Sequence, residues 1–210
     1  MDNFITEYSK QNIDIKSFAD IILNDNNKRE LMMSEMLTNN NIMVYFNGYL
    51  IIAEASEALP ELFYTHFEDI AKLLSHKNSY HRNIALHLLA NMASIDKDNK
   101  FDKVIDSYYK TLSDIKFQTK LYCIKHSAKI IRARNDLADK IIRLIIESLN
   151  AKDFNIKQKN LLVFNVLSLI EDSCNLFNDK EYIKSFIRHL ENTTPKINRL
   201  INKINNLYNI

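Results

Sequence analysis

Apolar residues recur along this chain at helical spacing, in stripes that close on a leucine about every 37 residues. Leu37, Leu74, Leu112, Leu149 and Leu190 hold that position, at steps of 37, 38, 37 and 41. A polar turn follows each: Thr38-Asn39-Asn40, Ser75-His76-Lys77, Ser113-Asp114, Asn150-Ala151-Lys152 and Glu191-Asn192-Thr193. A fixed period in this range marks stacked helical hairpins, each burying its apolar face against its neighbours. The pattern predicts ten to twelve helices, no sheet and an elongated particle.

The stripes place individual helices. Pro60 opens one at its first turn, where a missing N–H costs little, and Leu62, Phe63, Phe67, Ile70, Leu73 and Leu74 form its apolar side. Ser79 is the expected N-cap of the next, with Ile84, Ala85, Leu88, Leu89 and Met92 on one face. Phe117, Leu121, Ile124, Ala128 and Ile131 repeat that second-helix pattern, and Pro195 starts a last helix. Eleven residues after each closing leucine come Gly48, Ala85, Cys123 and Asn160. The first three are small, as expected where helix backbones approach closely. Together these features predict an all-α chain of one domain over 1–210. Residues 1–23 form an N-terminal cap, 24–194 about five hairpin repeats, and 195–210 a C-terminal capping helix.

Composition narrows the chemistry. One Gly and two Pro in 210 residues leave nothing from which to build a phosphate-cradling loop, a dinucleotide fingerprint or a nucleophile elbow. No apolar run reaches the roughly 18 residues needed to span a bilayer, so no membrane partner is expected. The N-terminus lacks the basic and apolar regions of a secretory signal. Cys123 and Cys174 are the only cysteines; two thiols within helical patterns suggest a reducing, cytoplasmic setting. The abundance of Asn and Ile fits the codon bias of an AT-rich genome.

The stretch Leu74-Ser75-His76-Lys77-Asn78-Ser79-Tyr80-His81-Arg82, followed by Ala85 and Leu89, resembles the turn and second helix of HEAT repeats, in the armadillo-like group. That pattern has an Asp in the turn, a basic residue six later and a small residue three after that. Leu112-Ser113-Asp114, Lys120 and Cys123 match it, and Asp153 with Lys159 keep the spacing in a shifted frame. His76 replaces the Asp in one unit and Tyr45 the basic residue in another. The resemblance covers roughly residues 25–195. It implies a right-handed α-solenoid whose second helices line a concave face.

Charge is uneven along the chain. Residues 1–76 carry a net −7 and residues 77–210 a net +9, an asymmetry that can mark a polyanion-binding end. No acid interrupts residues 115–135, which hold Lys116, Lys120, Lys125, Lys129, Arg132 and Arg134. At about 100° per residue, Lys125, Lys129 and Arg132 flank one edge of the apolar stripe, and Lys116 and Lys120 the other. Glu54, Glu57 and Glu61 form an acidic ridge near Pro60. The residues expected to contact a partner are therefore Arg82, Lys120, Lys125, Lys129, Arg132, Glu54 and Glu57. The ridge and the basic edge would meet different parts of one extended partner.

Catalytic and metal chemistry find little support. The six histidines show no ligand spacing, and His76 and His81 stand five apart without a helical carboxylate partner. The Glu ridge lacks the Glu-x-x-His motif of helical di-metal sites. Cys123 has Lys120 one turn before it, which could lower a thiol pKa, but its place among small residues predicts a buried, inert thiol. The expected function is a non-enzymatic scaffold that binds a protein through its concave face, without cofactor or metal. The alternative is nucleic-acid binding through the basic segment 116–134. Small bacterial HEAT-like DNA glycosylases resemble the chain in length and helix content, but rely on concave tryptophans beside a catalytic Asp and Arg. This chain has no Trp, and Asp172 has no matched partner.

Overall fold

Twelve α-helices follow one another, with no strand among the described residues. The structure, a computed structural model, describes residues 3–150, 154–191 and 193–208. Two short helices, α1 (Asn3–Tyr8) and α2 (Ile15–Asn24), precede the pair α3 (Asn26–Thr38) and α4 (Ile42–Ala58). The pairs α5 (Phe67–Lys72) and α6 (Ser79–Met92), then α7 (Lys100–Lys110) and α8 (Phe117–Ala133), follow. They continue as α9 (Ala138–Ser148) and α10 (Ile156–Asp172), then α11 (Lys180–Arg188) and α12 (Pro195–Tyr208). The polar turns foreseen at Ala151-Lys152 and Asn192, and the Asp153 of the HEAT spacing, lie outside the described residues.

The second helices form a continuous row. α4 packs on α6, α6 on α8, α8 on α10 and α10 on α12, while α2 and α3 both pack on α4. First helices form the other layer, with α5 against both α6 and α7, and α9 against α8. This helical-repeat-like arrangement follows from the stripes: a helix apolar on one broad face must bury it against the next unit. α6 lies deepest, with His81, Asn83 and Asn91 buried among its apolar residues.

Local chemistry sets the helix ends. Asp14, Asp25, Asn41, Asn78, Asn155 and Asp179 each cap a helix by accepting a backbone N–H. Asn155 and Gln158 form a reciprocal capping box. Part of the asparagine richness thus has a local use. The cap of α6 is Asn78, one residue before the Ser79 expected from sequence, because the Asn78 side chain reaches the Tyr80 N–H at 3.0 Å.

The stretch after Pro60 is not one helix. Pro60–Leu62 and Tyr64–His66 are 3₁₀ turns, α5 spans six residues, and Leu73–Ser75 is 3₁₀ again. Its apolar residues are nevertheless placed as expected, with Phe63, Phe67, Ile70, Leu73 and Leu74 buried. The predicted small-residue column is buried as well: Gly48, Ala85 and Cys123 all lie in the interior. A Cβ added at Gly48 would meet Met32, Met36 and Tyr8 at 3.7–3.9 Å, ordinary contact distances. Close backbone approach therefore does not demand glycine there. Asn160 is only half-buried.

Candidate functional site

Side chains of α4 and α8 meet over α6. The Lys129 ammonium of α8 donates to the Glu57 carboxylate of α4 and, at 2.6 Å, to the Asn91 amide oxygen of α6. Asn91 in turn donates to the Ala53 carbonyl at 3.2 Å and the Ser56 hydroxyl at 2.9 Å. Side chains from helices two units apart thus meet above α6. Glu57, Asn91, Ser94, Lys129 and Arg132 line a cleft of about 240 Å³ at this place.

One turn earlier a ring of aromatic groups crosses the same three helices. Tyr49 of α4 shares a 2.9 Å hydrogen bond with His87 Nδ1 of α6. His87 stacks on His126 of α8 with ring centroids 4.1 Å apart, and Tyr122 lies 5.5 Å from His126. Burial, reinforced by the Lys129 charge, pushes the His87 pKa down to about 4 although Glu57 opposes the shift. Burial and the neighbouring His87, Lys129 and Lys125 push His126 down to about 2. Both rings are neutral at physiological pH. Sequence reasoning passed over this cluster, yet Tyr49, His87 and His126 stand one repeat apart.

The seven sequence-derived contact residues separate into two groups. Arg82 and Lys120 are internal braces. Arg82 grips Asp114 of the following unit at 2.6 and 3.0 Å and also donates to the His76 carbonyl at 2.7 Å. Lys120, its equivalent one repeat on, is 1% exposed, and its ammonium donates to the Ser148 carbonyl. Burial lowers the Lys120 pKa. The expectation that Lys120 lies on an open helix edge is therefore corrected: the next unit covers it. These positions tie one repeat to the next, a buried donor being costly unless partnered.

The remaining five belong to the second helices α4 and α8. Glu54, Glu57, Lys125 and Arg132 are exposed and Lys129 is half-buried. Glu57 and Lys129 are partners of each other, so the ridge and the basic edge meet at this point. Glu61 lies apart, beside Tyr64, Ile95, Lys97 and Asp98. Lys125 and Arg132 have no ion-pair partner among the described residues. No group of three or more potential metal ligands occurs among them either. Cys123 is fully buried, and burial pushes its thiol up to about 12, leaving it protonated and unreactive. Among the described residues, no helix is long and apolar enough to cross a membrane.

The fold defines an all-α chain of helical-repeat type. No family model matches it, and no curated protein matches it. Among solved structures, the crystal structure of an engineered protein from the Northeast Structural Genomics Consortium is similar, with a TM-score of 0.51 and 15% identity. The match covers 100% of this chain and 97% of that one. At this identity the likeness concerns the fold alone.

Proposed function

We propose that the chain is a non-enzymatic, cytoplasmic HEAT-like scaffold, a right-handed α-solenoid that binds a segment of a partner protein along its second helices. The observation that supports this reading is the bridge from Lys129 over α6 to Glu57, which joins three successive second helices into one continuous face. Mixed charge around the cleft suits a partner selected by electrostatic complementarity, which favours specificity and encounter rate over raw affinity. A photo-crosslinking amino acid at position 132 should capture a discrete protein from native extract, and one at exposed Lys103 of α7 should not. Equal capture at both positions would overturn the assignment.

A second reading, nucleic-acid binding, is favoured by the unpaired Lys125 and Arg132. It predicts submicromolar binding of duplex DNA or RNA at about 0.15 M salt, lost in the Lys125→Glu, Arg132→Glu double variant. Lys129 belongs outside that variant, because its reversal would also break the contact with Glu57. Absence of a gel shift at that salt leaves the protein-binding reading in place.

A further inference from the structure

A second surface, on the first-helix side, carries a periodic pair of cavities. One of about 450 Å³ opens between the C-terminal ends of α3 and α5. The other, of about 400 Å³, opens between those of α5 and α7. They are repeat equivalents: Leu37 and Thr38 in the first correspond to Leu74 and Ser75 in the second, and Lys72 corresponds to Lys110. The 37–38 residue steps are those of the sequence repeat itself. Each cavity has room for a large apolar side chain.

The charges around the two differ. At the first, Lys72 pairs with Asp69 at 2.7 Å and the His66 ring meets Glu30 at 3.1 Å, so its one lysine is already partnered. At the second, Arg82 neutralises Asp114, while the rim lysine Lys110 and the adjoining turn lysines Lys77 and Lys116 are exposed. None of these three has an ion-pair partner among the described residues. Ile115, between Asp114 and Lys116, is 87% exposed.

We propose that this seam is a docking site for an extended, acidic polypeptide segment, distinct from the second-helix face. Neighbouring helices lie about 8–10 Å apart, and a chain in the extended polyproline II conformation, with three residues per turn, advances about 3.1 Å per residue and keeps every third side chain on one face. Side chains three residues apart therefore reach consecutive cavities. Carboxylates beside the second anchor meet Lys77, Lys110 and Lys116, and an apolar residue covers Ile115. Two cavities at rung spacing select a polypeptide over a lipid surface or a nucleic-acid duplex, neither of which fills such hollows with side chains.

The test uses a fluorescein-labelled peptide of Leu-Glu-Glu repeated four times, titrated by anisotropy at about 0.15 M salt. Binding should weaken about tenfold or more in Ser107→Trp, which fills the second cavity from an exposed position, and in Lys110→Glu. Arg132→Glu, on the other face, should bind as the parent does, which separates this site from the one proposed above. Matching thermal melts establish that the variants are folded. The proposal is overturned by no binding to the parent, by equal binding to a Leu-Lys-Lys peptide, or by indifference to both seam variants. It is also overturned if phosphatidylserine vesicles or duplex DNA bind through Lys110 with no effect of Ser107→Trp.

Discussion

Lys129 reaches across an intervening helix to pair with Glu57, 72 positions earlier in the chain. Glu57 is 58% and Lys129 29% exposed at the side chain, so solvent screens the pair and its direct coupling should be about 0.2–1 kcal/mol. Asn91 complicates the removal of Lys129, because its amide oxygen loses a charged donor. Glu57→Gln should therefore cost under about 1 kcal/mol, and Lys129→Ala more. A double-mutant cycle by urea denaturation measures this. A coupling indistinguishable from zero would mean that the pair adds nothing to the stability of the second-helix row.

The Arg82–Asp114 contact is the stronger inter-repeat tie. Its side chains are 14% and 9% exposed, and the contact is two-pronged. Charge-assisted hydrogen bonds of this kind contribute about 1.5–3 kcal/mol each way of counting. Arg82→Ala should destabilise the protein by about 2 kcal/mol or more on that basis, with Arg82→Lys recovering only part because an ammonium lacks the planar fork. Chemical denaturation of the three proteins decides the order. Full recovery by lysine would show that charge alone matters.

The small-residue column yields predictions of opposite sign. The Cβ space at Gly48 is ordinary, and Gly48 sits within α4. Gly48→Ala should stabilise by about 0.5–1 kcal/mol through helix propensity and a less mobile unfolded chain. Ala85 and Cys123 are both fully buried, and Leu at either should overpack the interior at about 1–3 kcal/mol. Thermal melts read all three; a destabilised Gly48→Ala would show that the neighbouring methionines cannot yield.

Much of this organisation is legible in the chain. The leucine period locates the hairpins, because every unit repeats one burial problem, and the column at Ala85 and Cys123 marks the interior correctly. Lys120 was misplaced for a definite reason: a helical wheel sees one helix, and the group that covers this lysine is the Ser148 carbonyl of the next unit. The Glu57–Lys129 bridge was invisible on similar grounds, since it depends on how three successive second helices pack together. The break-up of residues 60–75 into 3₁₀ and α segments leaves the apolar stripe unchanged, so the stripe could not report it.

The stacked His87 and His126 make stability depend on pH in a definite direction. In the folded protein both are held neutral, with pKa values near 4 and near 2, whereas unfolded histidine titrates near about 6.5. Between those values the unfolded chain binds protons that the folded one refuses. Stability is thus full above about pH 7 and falls as pH drops, by up to about 1.4 kcal/mol per pH unit for each histidine. His81, lowered by burial and by His76, acts in the same sense. Tyr49, Tyr122, Glu57, Lys125 and Lys129 face the stack, and of these only Glu57 favours protonation of His87. Urea midpoints should therefore fall between about pH 7 and pH 5. His126→Phe, which keeps a ring against His87 without a titrating group, should flatten that slope by about one proton. An unchanged slope in the variant would mean that His126 is protonated in the folded protein.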